Sequence, residues 1–227
     1  MYKNINGSFL YFINYQDNER ELCKMEMRCL FNREINEKYF FSDIDINASK
    51  SPFIKSKMVS KIKEDNLSYD DFKVSYVKSE QGDVQYEDRL EATRKIGFVV
   101  NGYPDMHKPR NPLAVTKING LWIFGEYERN DFKWQKHNDK PYSYSNALGL
   151  RMARALVNIA MKDNEEGTLI DPCCGVGTVV IEALDLGIKV KGCEISKQMA
   201  YNARENVEFL GYLRDTIVCY DMHKIKD

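Results

Sequence analysis

No stretch of this 227-residue chain approaches the ~20 consecutive apolar residues that a membrane-spanning helix requires. Its start, MYKNINGSFLYFINYQ, has no cationic opening and no small-residue cleavage site, so nothing there reads as a secretory leader. The six cysteines, Cys23, Cys29, Cys173, Cys174, Cys193 and Cys219, include no C-x-x-C pair and no regular spacing. That excludes a disulfide framework and the usual zinc-ligand patterns, and adjacent cysteines chelate poorly. Reduced thiols in a cytoplasmic protein are the expectation. Neither sign of charge is in excess, with 33 basic against 34 acidic side chains. A polybasic arm and an acidic tail are both excluded, and any nucleic-acid contact must come from local patches. No repeat or low-complexity stretch occurs, and a hydrophobic content of 43% with 12% aromatics excludes a disordered chain.

What is present is a chain whose character changes along its length. Residues 8–14 alternate as a strand does, and residues 17–30 read as a helix with Leu22, Met25, Cys29 and Leu30 on its apolar side. Residues 38–46 and 72–78 are β-like, and 86–96 are helical. Asn119-Gly120 sits between two β-rich runs, and both residues tolerate the positive φ of a tight hairpin turn. These elements predict a mixed α+β region, closed by a polar linker over residues 130–145 that contains Pro141.

Beyond it, Ser145 is placed to cap a helix running to about Met161, with Leu148, Met152, Ala155 and Ile159 on one face and Arg151, Arg154, Asn158 and Lys162 on another. Strand 168–171, helix 178–186, strand 188–194, a helix from Ser196 to Leu210 and strand 215–221 follow, with Gly187 and Gly211 as helix stops. Alternating strand and helix predicts a parallel, doubly wound α/β sheet.

The chemistry concentrates where the first of these strands ends, at Asp171-Pro172-Cys173-Cys174-Gly175-Val176-Gly177-Thr178. Glycines let the backbone turn sharply and approach a ligand, and the helix N-terminus offers unpaired N–H groups. Strand ends in such sheets face the ligand crevice. Glu194 ends the next strand, 17 residues after Gly177, where a carboxylate accepts two hydrogen bonds from a ribose diol. Asp221 ends the third and suits an adenine amino group. Val180 occupies the position where a dinucleotide fingerprint needs a small residue, and Asp171 would repel a pyrophosphate. A nucleoside carrying positive charge fits better.

D-P-C-C-G-V-G-T resembles the D-P-x-C-G-S/T-G-T motif of S-adenosylmethionine-dependent methyltransferases that modify RNA bases. K-P-Y-S-Y-S, R-M-A-R-A-L-V-N-I-A and A-R-E-N (Ala203 to Asn206) agree with it, and together they resemble the THUMP-domain tRNA (guanine-N2) methyltransferases of the tRNA-guanine-10 type. The match spans residues 140–221, and N-P-L-A-V-T-K-I-N-G-L-W-I-F-G resembles the closing hairpin of a THUMP-like domain. Val176 departs from the usual Ser or Thr. The resemblance implies an N-terminal THUMP-like RNA-binding region over residues 1–140. It implies the first half, strands 1–3, of a Rossmann-like methyltransferase domain over residues 141–227. It further implies S-adenosylmethionine as cofactor and an RNA partner, tRNA above all. Asp171, Pro172, Cys173, Cys174, Gly175, Gly177 and Thr178 would hold the methionine part, Glu194 the ribose, and Asp221 with Met222 the adenine, with Ile195 a further cofactor-binding residue.

The D/N-P-P-Y/F motif with which amino-group methyltransferases hold their target base is absent. No catalytic residue is therefore assigned, and the chain by itself is expected to be inactive, as the N-terminal part of a longer enzyme. Strand 1 would keep an open edge where a fourth strand belongs. Unpaired buried backbone groups cost ~1–3 kcal/mol each, so pairing with a second copy or a partner chain is the corresponding expectation. An rRNA or DNA amino-methyltransferase, or a non-catalytic RNA-binding adaptor with a vestigial pocket, are the alternatives.

The remaining features have plainer readings. The run Lys50, Lys55, Lys57, Lys61, Lys63 reads first as a solvated face and second as a phosphate contact, as do Lys108, Arg110 and Lys117. Trp122, in a strand, is expected in the core, whereas Trp134, in the polar stretch, is the better candidate for base stacking. The cysteines read as small buried thiols, and His107, His137 and His223 as surface or satisfied histidines.

Overall fold

The computed structural model describes residues 2–4, 8–59, 67–79, 84–162 and 166–224. Along the chain run β1 (Tyr2–Asn4), β2 (Phe9–Ile13), α1 (Arg20–Phe31), β3 (Tyr39–Ser42), β4 (Ile54–Val59), β5 (Phe72–Tyr76), α2 (Tyr86–Val99), β6 (Asn111–Ile118) and β7 (Leu121–Arg129). Then follow α3 (Leu150–Ala160), β8 (Thr168–Asp171), α4 (Thr178–Asp185), β9 (Lys189–Glu194), α5 (Lys197–Phe209) and β10 (Ile217–Cys219). The chain forms two compact units, neither of them continuous in sequence. Residues 1–14, 35–48 and 54–130 make the first, and residues 15–34, 49–53 and 131–227 the second. No helix among the described residues is long and apolar enough to cross a membrane.

In the first unit the strands lie in the order β3-β2-β4-β7-β6-β5, with β1 alongside the start of β7. β6 and β7 form the hairpin expected of Asn119-Gly120, whose φ angles are 51° and 78°. Two consecutive positive φ values match the right-handed twist of the flanking strands, which is why this dipeptide closes the turn. Leu113 and Ala114, adjacent in β6, serve opposite faces. Leu113 packs with Phe72 of β5 and with Ile96 and Val100 at the end of α2, and Ala114 with Leu10, Phe12, Met58 and Ile123. Each large side chain so buried contributes roughly 1.5–3 kcal/mol.

Lys57 does not lie on a solvated face. It is 4% exposed, with Nζ 2.7 Å from Asp45 and 2.9 Å from Glu128. Burial works against its charge, but these two carboxylates hold its pKa above the usual lysine range. Lys61 and Lys63 lie outside the described residues.

The second unit carries a parallel sheet in the order β10-β9-β8, as the strand and helix alternation predicts. Val157 of α3, Val180 and Ile181 of α4, Val190 of β9 and Val207 of α5 share one core. Ser196 caps α5, its Oγ accepting the Met199 N–H at 3.4 Å.

Two helix faces differ from expectation. α1 buries Cys23, Glu26, Met27 and Phe31, while Met25 is 48% exposed. α3 starts at Leu150 behind Gly149 rather than at Ser145, and it buries Arg154 and Asn158 while Leu148 and Met152 stay exposed. The reason is common to both helices. Glu26 accepts from Ser51 Oγ at 2.6 Å and from Asn158 Nδ2 at 2.6 Å, so polar groups on the two helices satisfy one another inside the unit. Hydropathy periodicity cannot anticipate such a reciprocal pairing.

Candidate functional site

The turn after β8 is built by short-range bonds. The Cys174 N–H donates to the Cys193 carbonyl at 2.8 Å, tying the turn to β9, and the Gly177 N–H donates to the Cys174 carbonyl at 2.8 Å. Gly175 and Gly177 take φ of 54° and 83°, a region that favours glycine. A Cβ at Gly177 would also meet the Ala203 methyl of α5 at 3.4 Å.

The segments that follow β9 and β10 converge on this turn. Glu194 Oε2 accepts the Gly175 N–H at 3.0 Å and its Oε1 accepts the Ser196 N–H at 2.8 Å. The Tyr220 N–H donates to the Glu194 carbonyl at 3.0 Å, bringing the end of β10 alongside. Asp221 lies just beyond β10 rather than at its last residue. The Cys173 and Met222 sulfurs approach to 3.2 Å. Ile195 is 69% and Met222 41% exposed, so the ends of β9 and β10 form an open shelf.

On the other side of the turn is a cavity of about 560 Å³, between β8, α3 and residues 144–148. Such a volume suits a small-molecule ligand. Asp171, Pro172, Cys173, Cys174, Gly175 and Thr178 line it, together with hydrophobic side chains such as Leu148 and Leu156. Gly177, Glu194, Ile195, Asp221 and Met222 do not line it. The structure thus distributes the sequence-predicted residues over a cavity and a shelf that share one turn.

The electrostatics favour a cation. Burial, reinforced by Glu194, raises the Asp171 pKa, although the Cys173 N–H donates to its Oδ1 at 3.2 Å. A positive ligand would relieve both the desolvation and the repulsion. Each Glu194 oxygen accepts one backbone N–H and retains acceptor capacity for a diol. Thr178 Oγ1 is buried without a hydrogen-bond partner among the described residues, at the wall of the cavity. An orphaned hydroxyl and two carboxylates fit a charged nucleoside with hydrogen-bond donors. Burial, with Asp171 and Glu194 nearby, pushes the Cys174 thiol up to about 12, so it stays protonated near neutrality and is no nucleophile.

Two supports escaped the sequence reading. Asn206, the last residue of A-R-E-N, is fully buried. Its Oδ1 accepts the Tyr142 N–H at 2.8 Å, and its Nδ2 donates to the Tyr142 and Val176 carbonyls, each at 2.9 Å. One side chain therefore joins α5, the K-P-Y segment and the turn. The second support surrounds Arg154, which donates to Glu182 at 2.8 Å, to Asp185 at 2.7 Å and to the Ser49 and Lys50 carbonyls. His137 Nδ1 lies 2.7 Å from Glu182. Burial opposes charge on His137, but Asp185 and Glu182 outweigh it and raise its pKa to about 9. The bond from His137, helped by Arg154 against the effect of burial, lowers Asp185 to about 2. The available signal was Glu182 itself, a single acid within the apolar run V-V-I-E-A-L.

Other candidates move. Trp134 is 3% exposed, in a 3₁₀ segment over Lys133–Asp139 that buries it together with His137, so its indole does not present a face for stacking. Trp122 is only partly buried. Cys173 and Cys219 are exposed rather than buried. Among the described residues no group of three His, Cys, Asp or Glu side chains is placed to hold a metal ion.

A family model described as DNA methylase (N6_N4_Mtase) matches residues 1–205. A tRNA (guanine(10)-N2)-dimethyltransferase of Pyrococcus abyssi is 32% identical over 126 residues, 54% of this chain and 37% of that protein. One of Methanothermobacter thermautotrophicus is 25% identical over 127 residues, with the same coverages. The crystal structure of TrmN from Thermus thermophilus aligns with a TM-score of 0.42 at 15% identity, over 94% of this chain and 73% of that one. The alignments span little more than a third of the length of these curated relatives.

Proposed function

This chain belongs to the DNA methylase family whose model its residues 1–205 match, and on that premise we propose that it binds S-adenosylmethionine for methylation of a nucleic-acid base amino group. The relatives named as tRNA (guanine(10)-N2)-dimethyltransferases support tRNA as the nucleic acid and guanine N2 as the acceptor. The cofactor supplies a methyl group on a sulfonium centre. The residues of this chain bind and orient it. Asp171 to Thr178 cradle the methionine end, Glu194 takes the ribose, Asp221 with Met222 flank the adenine, and Ile195 adds a further cofactor contact. Residues 1–140 are the RNA-binding region, of THUMP type.

The observation that carries the reading is the Glu194 carboxylate. Its oxygens are fixed by the Gly175 and Ser196 amides, so it is aimed before any ligand arrives. Such preorganisation lowers the ordering cost of binding. Isothermal calorimetry with S-adenosylhomocysteine tests it. Binding is expected, and Glu194→Ala should weaken it by about tenfold or more, the loss of one or two hydrogen bonds to a charged acceptor. A folded protein that gives no heat, or an unchanged affinity in the variant, overturns the assignment. With no D/N-P-P-Y motif in the sequence, a methyl-transfer assay on this chain alone should stay at background.

A further inference from the structure

Four side chains of the first unit form a continuous pile on one face of its sheet. The Arg89 guanidinium of α2 stands 5.3 Å from the centre of the Tyr76 ring at the end of β5. Tyr76 meets Trp122 of β7 edge to face, with centroids 6.2 Å apart and planes at 73°. Lys117 of β6 places Nζ 5.3 Å from the Trp122 ring centre. The register explains the pile. Lys117 and Trp122 are a direct cross-strand pair, and Tyr76 is level with Val115, two residues along β6 from Lys117, so all three strands present these side chains on the same face.

All four residues are partly exposed. Among the described residues neither cation pairs with a carboxylate, and the hydrogen bond of Arg89 runs from Nε to the Val84 carbonyl at 2.6 Å. The contrast lies in the same sheet, where Lys57 is buried and neutralised by Asp45 and Glu128. A cation that serves packing is treated like Lys57. Arg89 and Lys117 instead stand beside two half-open aromatic faces, with no carboxylate partner among the described residues.

We propose that this ledge docks the unpaired bases of a single-stranded nucleic acid, Trp122 and Tyr76 stacking on bases while Lys117 and Arg89 move onto flanking phosphates. Aromatic faces accept any base, and the cations complement a polyanion, so recognition is by single-strandedness rather than by sequence. The inference rests on the functional reading above, in which the N-terminal region binds nucleic acid, and deepens it by naming the residues and the single-stranded form; none of these residues belongs to the turn or the shelf.

The test is fluorescence anisotropy with a labelled oligoadenylate of about ten nucleotides, as RNA and as DNA, each alone and as a duplex with its complement. The full chain should bind single strands more tightly than duplexes. Trp122→Ala and Tyr76→Ala should each weaken binding by about 5- to 150-fold, the range of one lost stacking partner, whereas Trp122→Phe should retain most of it. Lys117→Gln should lower the slope of log affinity against log salt by about 0.7. In Trp134→Phe, which leaves Trp122 as the one remaining indole, single strands should quench the emission. A tenfold preference between the RNA and DNA strands assigns the sugar, and equal binding assigns the bases alone. No binding, equal binding of duplexes, or unchanged affinity in Trp122→Ala overturns the proposal. Calorimetry with S-adenosylhomocysteine on the same variants separates the two ideas. Heat without oligonucleotide binding removes the ledge, and oligonucleotide binding without heat removes the cofactor pocket.

Discussion

Asn206 bonds the backbone of Tyr142 in both directions, accepting its N–H at 2.8 Å and donating to its carbonyl at 2.9 Å. The same amide nitrogen reaches the Val176 carbonyl inside the turn. Truncation in Asn206→Ala would orphan a backbone N–H and two carbonyls, each costing ~1–3 kcal/mol where water cannot replace the lost partner. We expect urea denaturation to show a loss of about 3 kcal/mol or more, together with weaker S-adenosylhomocysteine binding. A variant of wild-type stability would show that residues 141–143 are held by other means.

A second prediction follows from Asp171. Its folded-state pKa is raised by burial and by Glu194. A cationic ligand selects the ionised carboxylate, so affinity for S-adenosylmethionine should increase as pH rises through that raised value and level off above it. Calorimetry across the weakly acidic range reads this directly. Asp171→Asn should bind less tightly, with a flatter profile. An affinity that falls with rising pH contradicts the assignment.

Glu26 and His137 predict the stability profile of the second unit. Burial raises Glu26 from 4.5 to about 7, in spite of its bonds from Ser51 and Asn158. His137 rises from 6.5 to about 9. Both groups bind more protons when folded, so both make stability fall as pH rises, Glu26 between 4.5 and about 7 and His137 between 6.5 and about 9. The His137 contribution is fully present below 6.5. Thermal melts over these windows should show a declining Tm. Glu26→Gln should flatten the lower part and His137→Gln the upper part; a Tm that climbs between pH 4.5 and about 7 would contradict the Glu26 assignment, and one that climbs between about 7 and 9 the His137 assignment.

What could be read from the sequence was local. Asn119-Gly120 specifies its own backbone, and the strand, turn and helix from Thr168 to Asp185 are set by glycine and short-range periodicity. What could not be read was reciprocal. Arg154 and Asn158 are charged or polar in isolation, and only their partners Glu182, Asp185 and Glu26, distant in sequence, make them interior residues. Lys57 is a case of the same kind, since Asp45 and Glu128 flank it only once the strands are paired. Trp134 lies in a segment whose polarity suggests solvent, yet its ring is buried beside Phe132 and Arg154. Asn206 stands in a helix of ordinary amphipathic appearance, and nothing in its neighbours announces that its amide reaches out to Tyr142 and Val176.

Arg154 answers to two carboxylates and two carbonyls at once. Replacing it alone takes the guanidinium from the wholly enclosed Glu182 carboxylate and leaves His137 as its remaining ionic partner among the described residues. Drift at this position is therefore blocked one step at a time and open only to concerted exchange. Descendants of this sequence should inherit Arg154, Glu182 and Asp185 as a block, or lose all three together to an apolar filling.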